Sequence, residues 1–180
     1  RMDSMVVDQK LKEKNLHLKE KAERIKVLLT DVDGVLTDTG VYYGQNGESF
    51  RRFSIRDGMG VERLRKYAGI ETIIITGENS GTVKSRAEKL NIQEFYLGVK
   101  KKEEVLEIIK KKNGFEKENI AYIGDDANDY EVMQLCGFTA TPNDGMSFIK
   151  DIADYVCETK AGYGALREFA ELIIAFKSKS

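Results

Sequence analysis

The chain has 180 residues and a mass of 20.4 kDa, which suits one domain burying about 70% of the surface its unfolded chain would expose. Its 29 basic and 30 acidic residues leave a formal net charge of −1, so the basic excess that nucleic-acid binding needs is missing. No apolar run is long enough to cross a bilayer, and no membrane partner is expected. The two cysteines, Cys136 and Cys157, match no zinc or redox spacing and sit among apolar residues. That fits buried thiols in a reducing cytoplasm, and the polar residues 1–24 show no secretory signal.

Residues 1–24 read as a charged N-terminal extension, helical or flexible, ahead of a single domain over 25–180. His17 lies in the extension without acidic or cysteine neighbours and reads as a surface residue. Residues 25–30 form an apolar strand that runs straight into "DVDG". Residues 39–43 and 49–55 are rich in aromatic and β-branched types and flank "GQNGE", which predicts a hairpin over about 39–55. Helix and strand then alternate. Helices are expected at 58–67, 79–90, 101–112, 127–135 and 165–176. Strands are expected at "ETIIITG", "EFYLG", "NIAYIGDD", "GFTATP" and "ADYVC". Helices of ten or more residues between strands imply an α/β fold, with a mostly parallel, Rossmann-like sheet covered by helices on both faces. Ligands of such sheets sit beyond the carboxyl ends of the strands.

Three strand exits are polar and glycine-rich: "TDVDG", "ITGEN" and "IGDDAND". A parallel sheet projects all three to one edge. Asp31 and Asp33 are two apart in an extended segment and share a face. Carboxylates so placed raise one another's pKa unless a cation lies between them. One reading is turn and cap residues. The other is a Mg²⁺ site, since this ion takes oxygen ligands and pairs with phosphate. Asp125 then supplies another carboxylate, and the Asp33 carbonyl a further oxygen. Gly34 permits a tight turn whose amides can hold phosphate oxygens. Thr76 and Gly77, before a helix N-terminus, form either a phosphate cradle or a simple helix cap. Among Lys100, Lys101 and Lys102 after "LGV", Lys102 is the expected phosphate-neutralising cation.

Together, "DVDGVLTD", "IITG", a lysine after "LG", and "YIGDDANDYEVM" resemble the four motifs of the haloacid dehalogenase-like phosphohydrolases, in that family's order. The resemblance spans nearly everything from residue 25 to 174. It implies that Asp31 is the nucleophile, forming an aspartyl phosphate, and that Asp33 is the general acid and then base. It implies that Thr76 and Lys102 position the phosphoryl group. It also implies that Asp125, with Asp31 and Asp33, holds Mg²⁺, and that Asp126 and Asp129 complete or orient the shell.

No segment is long enough for a cap domain. The hairpin "GVYYGQNGESFRRF" resembles that of a small uncapped subgroup acting on phosphorylated 3-deoxy-2-keto sugar acids. The resemblance implies a homotetramer in which neighbouring hairpins help close each site. "FSIRDGMG", with Arg56, resembles the octulosonate 8-phosphate phosphatases of lipopolysaccharide biosynthesis. "AGYGALREFAELI" resembles their C-terminal motif, with Ala161, Gly162 and Tyr163 in place of their usual glycine pair. Arg167 there either reaches a sugar carboxylate or pairs with Glu168 and its surroundings. After "ITG" the octulosonate enzymes typically carry arginine. Here Glu78 follows, with Lys89 one helix on, and that pair resembles the nine-carbon branch linked to sialic acid biosynthesis. Glu78 can accept hydrogen bonds from a polyol tail. The expected substrate is therefore ketodeoxynononate or N-acylneuraminate 9-phosphate. The alternatives are 3-deoxy-manno-octulosonate 8-phosphate and, outside enzymes, a regulatory module associated with a sugar cytidylyltransferase.

Overall fold

The structure, a computed structural model, describes residues 5–177. The chain opens with helix α1 (Gln9–Lys14), a 3₁₀ turn and helix α2 (Lys19–Glu23). Strand β1 (Val27–Thr30) follows, then a hairpin of β2 (Tyr42–Gly44) and β3 (Gly47–Phe50). The chain continues through α3 (Ile55–Ala68), β4 (Glu71–Ile75), α4 (Gly81–Lys89), β5 (Phe95–Tyr96) and α5 (Lys102–Asn113). It ends with β6 (Ile120–Ile123), α6 (Tyr130–Gln134), β7 (Phe138–Thr141), α7 (Ser147–Lys150), β8 (Tyr155–Val156) and α8 (Ala165–Lys177).

Six strands make one parallel sheet in the order β5-β4-β1-β6-β7-β8, with the hairpin as a separate ribbon. This is the α/β fold expected from the sequence, a parallel Rossmann-like sheet with helices on both faces. Side chains of β1 alternate between two cores, as an extended chain requires. Leu28 joins the face packed by α3 and α8, while Val27 and Leu29 join the face under α5 and α6. The charged N-terminal segment packs on the first of these cores. Leu18 and Ala22 are buried there, and Lys177 Nζ donates to the carbonyls of Glu23 and Ile25 at 3.1 and 2.6 Å.

Helix α3 begins three residues earlier than the sequence pattern predicts. Ser54 caps it by accepting from the Arg56 amide at 3.1 Å, and the two glycines lie inside it for packing. A Cβ on Gly60 would stand 3.0 Å from the Arg167 Cα of α8, and one on Gly58 would meet Arg86 and Leu90. Glycine costs a helix about 1 kcal/mol relative to alanine, which close helix contact here offsets.

The sheet register positions the site. Thr30 lies level with Ile74 on one side and Ile123 on the other. Asp31 is then one residue past the edge, and Thr76 and Asp125 are two past it.

Candidate active site

These three exits line one cavity of about 260 Å³, bounded by Asp31, Asp33, Thr39, Thr76, Gly77, Glu78, Asp125, Asp126 and Asn128. Its floor is a cluster of buried charge. Carboxylate oxygens of Asp31, Asp125 and Asp129 lie within 4.8 Å of one another. Lys102, 2% exposed, reaches them from the first turn of α5: its Nζ is 3.2 Å from Asp31 Oδ1 and 2.8 Å from Asp129 Oδ1.

Asp129 is the keystone of this floor. Its Oδ1 accepts from Lys102 and from the Tyr122 hydroxyl at 2.6 Å, and its Oδ2 accepts from the Asp125 amide at 2.9 Å. With its oxygens so committed, Asp129 orients Lys102 and the 124–126 turn, while Asp31 is held by its Oδ1, which accepts from the Val32 amide at 2.7 Å and pairs with Lys102. Gly34 brings those two strand exits together. Its φ is +85°, and a Cβ there would lie 1.7 Å from Asp125 Oδ2, so only glycine lets the first loop pass this close.

The protonation pattern follows from burial. Burial, with Asp129 beside it, pushes Asp31 well above the usual carboxylate range despite Lys102. Burial and the Asp129 charge push Asp125 up to about 7. Burial acts the same way on Asp129, but Lys102 and its hydrogen bonds outweigh it and hold Asp129 below the ordinary value. Burial also disfavours the charge on Lys102, yet Asp31 and Asp129 outweigh that and raise its pKa. Three carboxylates against one ammonium leave excess negative charge. A divalent cation would remove it, so the donor set fits Mg²⁺ or a similar hard ion.

The other site candidates fall in three places. Thr76 is buried at the cavity wall, where its Oγ1 accepts from the Glu78 amide at 3.2 Å. Asp33 lines the cavity but stands apart from the three-carboxylate cluster, and its carboxylate takes the guanidinium of Arg51 at 2.9 Å. Asp126 also lines the cavity, yet the structure differs from the expected ligand set here. Its exposed carboxylate turns back to cap the following turn, accepting from the Ala127 amide at 2.6 Å. Asp38 likewise closes a local turn, accepting from Gly40 N at 3.0 Å.

Three expected substrate contacts are not brought to this cavity. Lys89 is exposed on α4 and lines a separate groove with Ser85 and Arg86. Arg56 and Arg167 line a third cavity, between α1 and the start of α8. Arg167 pairs there with Glu171 at 2.9 Å rather than with Glu168, whose carboxylate instead receives Tyr155 and Thr159. The i,i+4 spacing on a helix explains that choice. Gly162 of the C-terminal motif packs under the first loop. Its φ is +76°, and a Cβ would stand 2.4 Å from the Asp38 amide. One glycine at that contact is what the loop geometry demands, whichever residue precedes it.

Two neighbours of the site carry no signal in the sequence: Arg51 beside Asp33, and Tyr122 behind Asp129. Tyr122 faces the α5 side on a strand that otherwise reads as apolar. Arg51 reads as one more charge beside Arg52.

A parallel-sheet edge carrying an aspartate pair, a buried lysine and a second aspartate turn defines a phosphohydrolase of the haloacid dehalogenase-like class. The model of that hydrolase family matches residues 97–169. The chain is 37% identical over 163 residues to the 3-deoxy-D-manno-octulosonate 8-phosphate phosphatase of Haemophilus influenzae, covering 91% of this chain and 90% of that one. It is 38% identical over 159 residues to the Escherichia coli K12 enzyme of the same name, covering 88% and 84%. The Moraxella catarrhalis 3-deoxy-D-manno-octulosonate 8-phosphate phosphatase, solved with a magnesium ion, a phosphate ion and KDO, superimposes with a TM-score of 0.87 at 34% identity, covering 91% and 93%. The chain belongs to the 3-deoxy-D-manno-octulosonate 8-phosphate phosphatase family, within the small uncapped subgroup of the haloacid dehalogenase-like phosphohydrolases.

That membership corrects the expectation of a nine-carbon substrate. The relatives are named as eight-carbon enzymes, and the structure parts the two residues that pointed elsewhere. Glu78 lines the cavity, 3.6 Å from Arg51, while Lys89 lines a separate groove. The membership also makes the chain a phosphatase, not a regulatory module.

Proposed function

We propose that this protein hydrolyses 3-deoxy-D-manno-octulosonate 8-phosphate to the free sugar acid and inorganic phosphate, as its relatives are named for doing. The observation that carries this reading is the Asp31–Asp125–Asp129–Lys102 floor in a chain matching those enzymes over 91% of its length.

In this reading Asp31 and Asp125, with the Asp33 carbonyl, hold Mg²⁺; Asp126 stays at the rim. Bound there, the ion offsets the negative charge of the phosphate and of the carboxylates. Asp31 attacks phosphorus as its bond to the sugar oxygen breaks, and Asp33 gives that oxygen a proton. Asp33 then takes a proton from water, whose oxygen bonds phosphorus as the bond to Asp31 breaks. Lys102 and Thr76 steady the phosphoryl oxygens, with the Gly34 and Gly77 turns as backbone donors. Lys102 also keeps Asp31 oriented through its 3.2 Å contact.

The hairpin supports a homotetramer as the working form. Tyr42, Tyr43 and Phe50 are 62%, 75% and 68% exposed, more apolar surface than a two-stranded ribbon leaves bare without a partner. Arg56, Arg167 and Lys89 then meet substrate only if assembly carries them to a neighbouring site. Two free, buried cysteines support a cytoplasmic setting, and no helix among the described residues is long and apolar enough to cross a membrane.

The test is phosphate release from octulosonate 8-phosphate by the purified protein. Release with Mg²⁺ that stops on chelation and returns on re-addition is expected. No release under any of these conditions would sink the reading.

A further inference from the structure

The hairpin and the first loop meet at one buried cation. Arg51 directly follows β3, and its side chain is 1% exposed. Its Nε donates to Asp33 Oδ1 at 2.9 Å, and its Nη2 to Asp33 Oδ2 at 3.3 Å. Its Nη1 donates to Ser80 Oγ at 3.0 Å and also pairs with Glu48 on the hairpin. Glu78 lies on the remaining side. One guanidinium therefore ties the exit of β1, the hairpin and the start of α4. Its planar fork fixes a carboxylate at two points, which a point charge does not.

The two oxygens of Asp33 are held unequally. Oδ1 accepts the short Arg51 contact and a second bond from Thr37 Oγ1 at 3.3 Å. Oδ2 has only the looser Nη2 contact. The Asp33 side chain is 29% exposed and lines the carboxylate cavity. We propose that Arg51 is a positioning residue for the acid–base step: it anchors Asp33 by Oδ1 and leaves Oδ2 to exchange the proton. The inference rests on the phosphatase reading above. In the first half-reaction the proton on Oδ2 passes to the sugar oxygen as that oxygen leaves phosphorus. In the second, Oδ2 takes a proton from the attacking water. Arg51 is unchanged in both. Through Glu48, its placement also depends on the hairpin being seated.

The test compares kcat/KM on two esters with Mg²⁺ present. Octulosonate 8-phosphate has a poor alkoxide leaving group that needs the proton. p-Nitrophenyl phosphate has a good one that does not, and kcat/KM reports the first bond-breaking step. General acid catalysis is worth about 100- to 10,000-fold. Arg51→Gln should therefore lose about 100-fold on the sugar ester, and at least ten times less on the aryl ester. Arg51→Lys, which reaches only one oxygen, should lose about 10-fold on the sugar ester and again less on the aryl ester. Equal losses on both esters in either variant would overturn the assignment. If Arg51→Gln does not fold by thermal melt, Arg51→Lys carries the same comparison. A wild-type protein inactive on both esters would overturn the phosphatase reading itself, and this role with it.

Discussion

The floor and the rim of this cavity are built on different principles. On the floor, Asp31, Asp129 and Lys102 are all under 4% exposed. Asp129 accepts three hydrogen bonds, and Lys102 bridges two carboxylates. At the rim, the Glu78 side chain is 54% exposed, Asp126 caps its own turn, and the hairpin stands in solvent. A buried ionic group holds its geometry because no water can replace a lost partner. A rim charge exchanges partners at little cost. In the proposed reading the floor therefore sets the reaction, and single changes at the rim are expected to cost little.

Removing Asp31, the proposed nucleophile, should have the largest effect on this contrast. Asp31→Asn keeps the shape of the floor but removes the attacking carboxylate, and should cut turnover by about 10,000-fold or more. Single-turnover phosphate release on a purified, folded variant checks it. Full activity would remove Asp31 from the role.

Breaking the floor without touching the nucleophile comes next. Lys102→Met strands Asp31 and Asp129 without a cation, which should cost about 3–5 kcal/mol of stability together with at least about 100-fold in kcat. Urea unfolding and steady-state kinetics read the two losses. A stable variant with unchanged kcat would mean that the floor is not interlocked as described.

The smallest effect belongs to the rim. Glu78→Gln removes a half-exposed charge beside Arg51, and should change stability by about 1 kcal/mol or less. The preference for the eight-carbon ester should stay. A shift of preference by an order of magnitude would make Glu78 a substrate-reading residue after all.

The same contrast explains what could be read from the sequence. The alternation of apolar strands and helices, and the three glycine-and-aspartate exits, are local patterns, and the parallel sheet gathers them by register. Asp31, Thr76, Asp125 and even Lys102 among three consecutive lysines were legible in this way. The sequence pattern starts α3 three residues late because Ser54 shows itself as the cap only where its Oγ accepts from the Arg56 amide. Arg51 was missed because its meaning lies in Asp33 and Ser80, 18 and 29 residues away. Glu78 and Lys89 resemble the nine-carbon branch as a pair, but the fold parts them: Glu78 lines the cavity beside Arg51, and Lys89 lines a separate groove.

A preference for an eight-carbon sugar acid phosphate follows from the proposed function. It is tested most directly by kcat/KM with Mg²⁺ for octulosonate 8-phosphate against ketodeoxynononate 9-phosphate and N-acetylneuraminate 9-phosphate, since that ratio measures differential transition-state binding. The expected result is a preference for the octulosonate ester of about 10-fold or more over both nine-carbon esters, a difference of about 1.4 kcal/mol. A ratio of one, or a preference for either nine-carbon ester, would contradict the account.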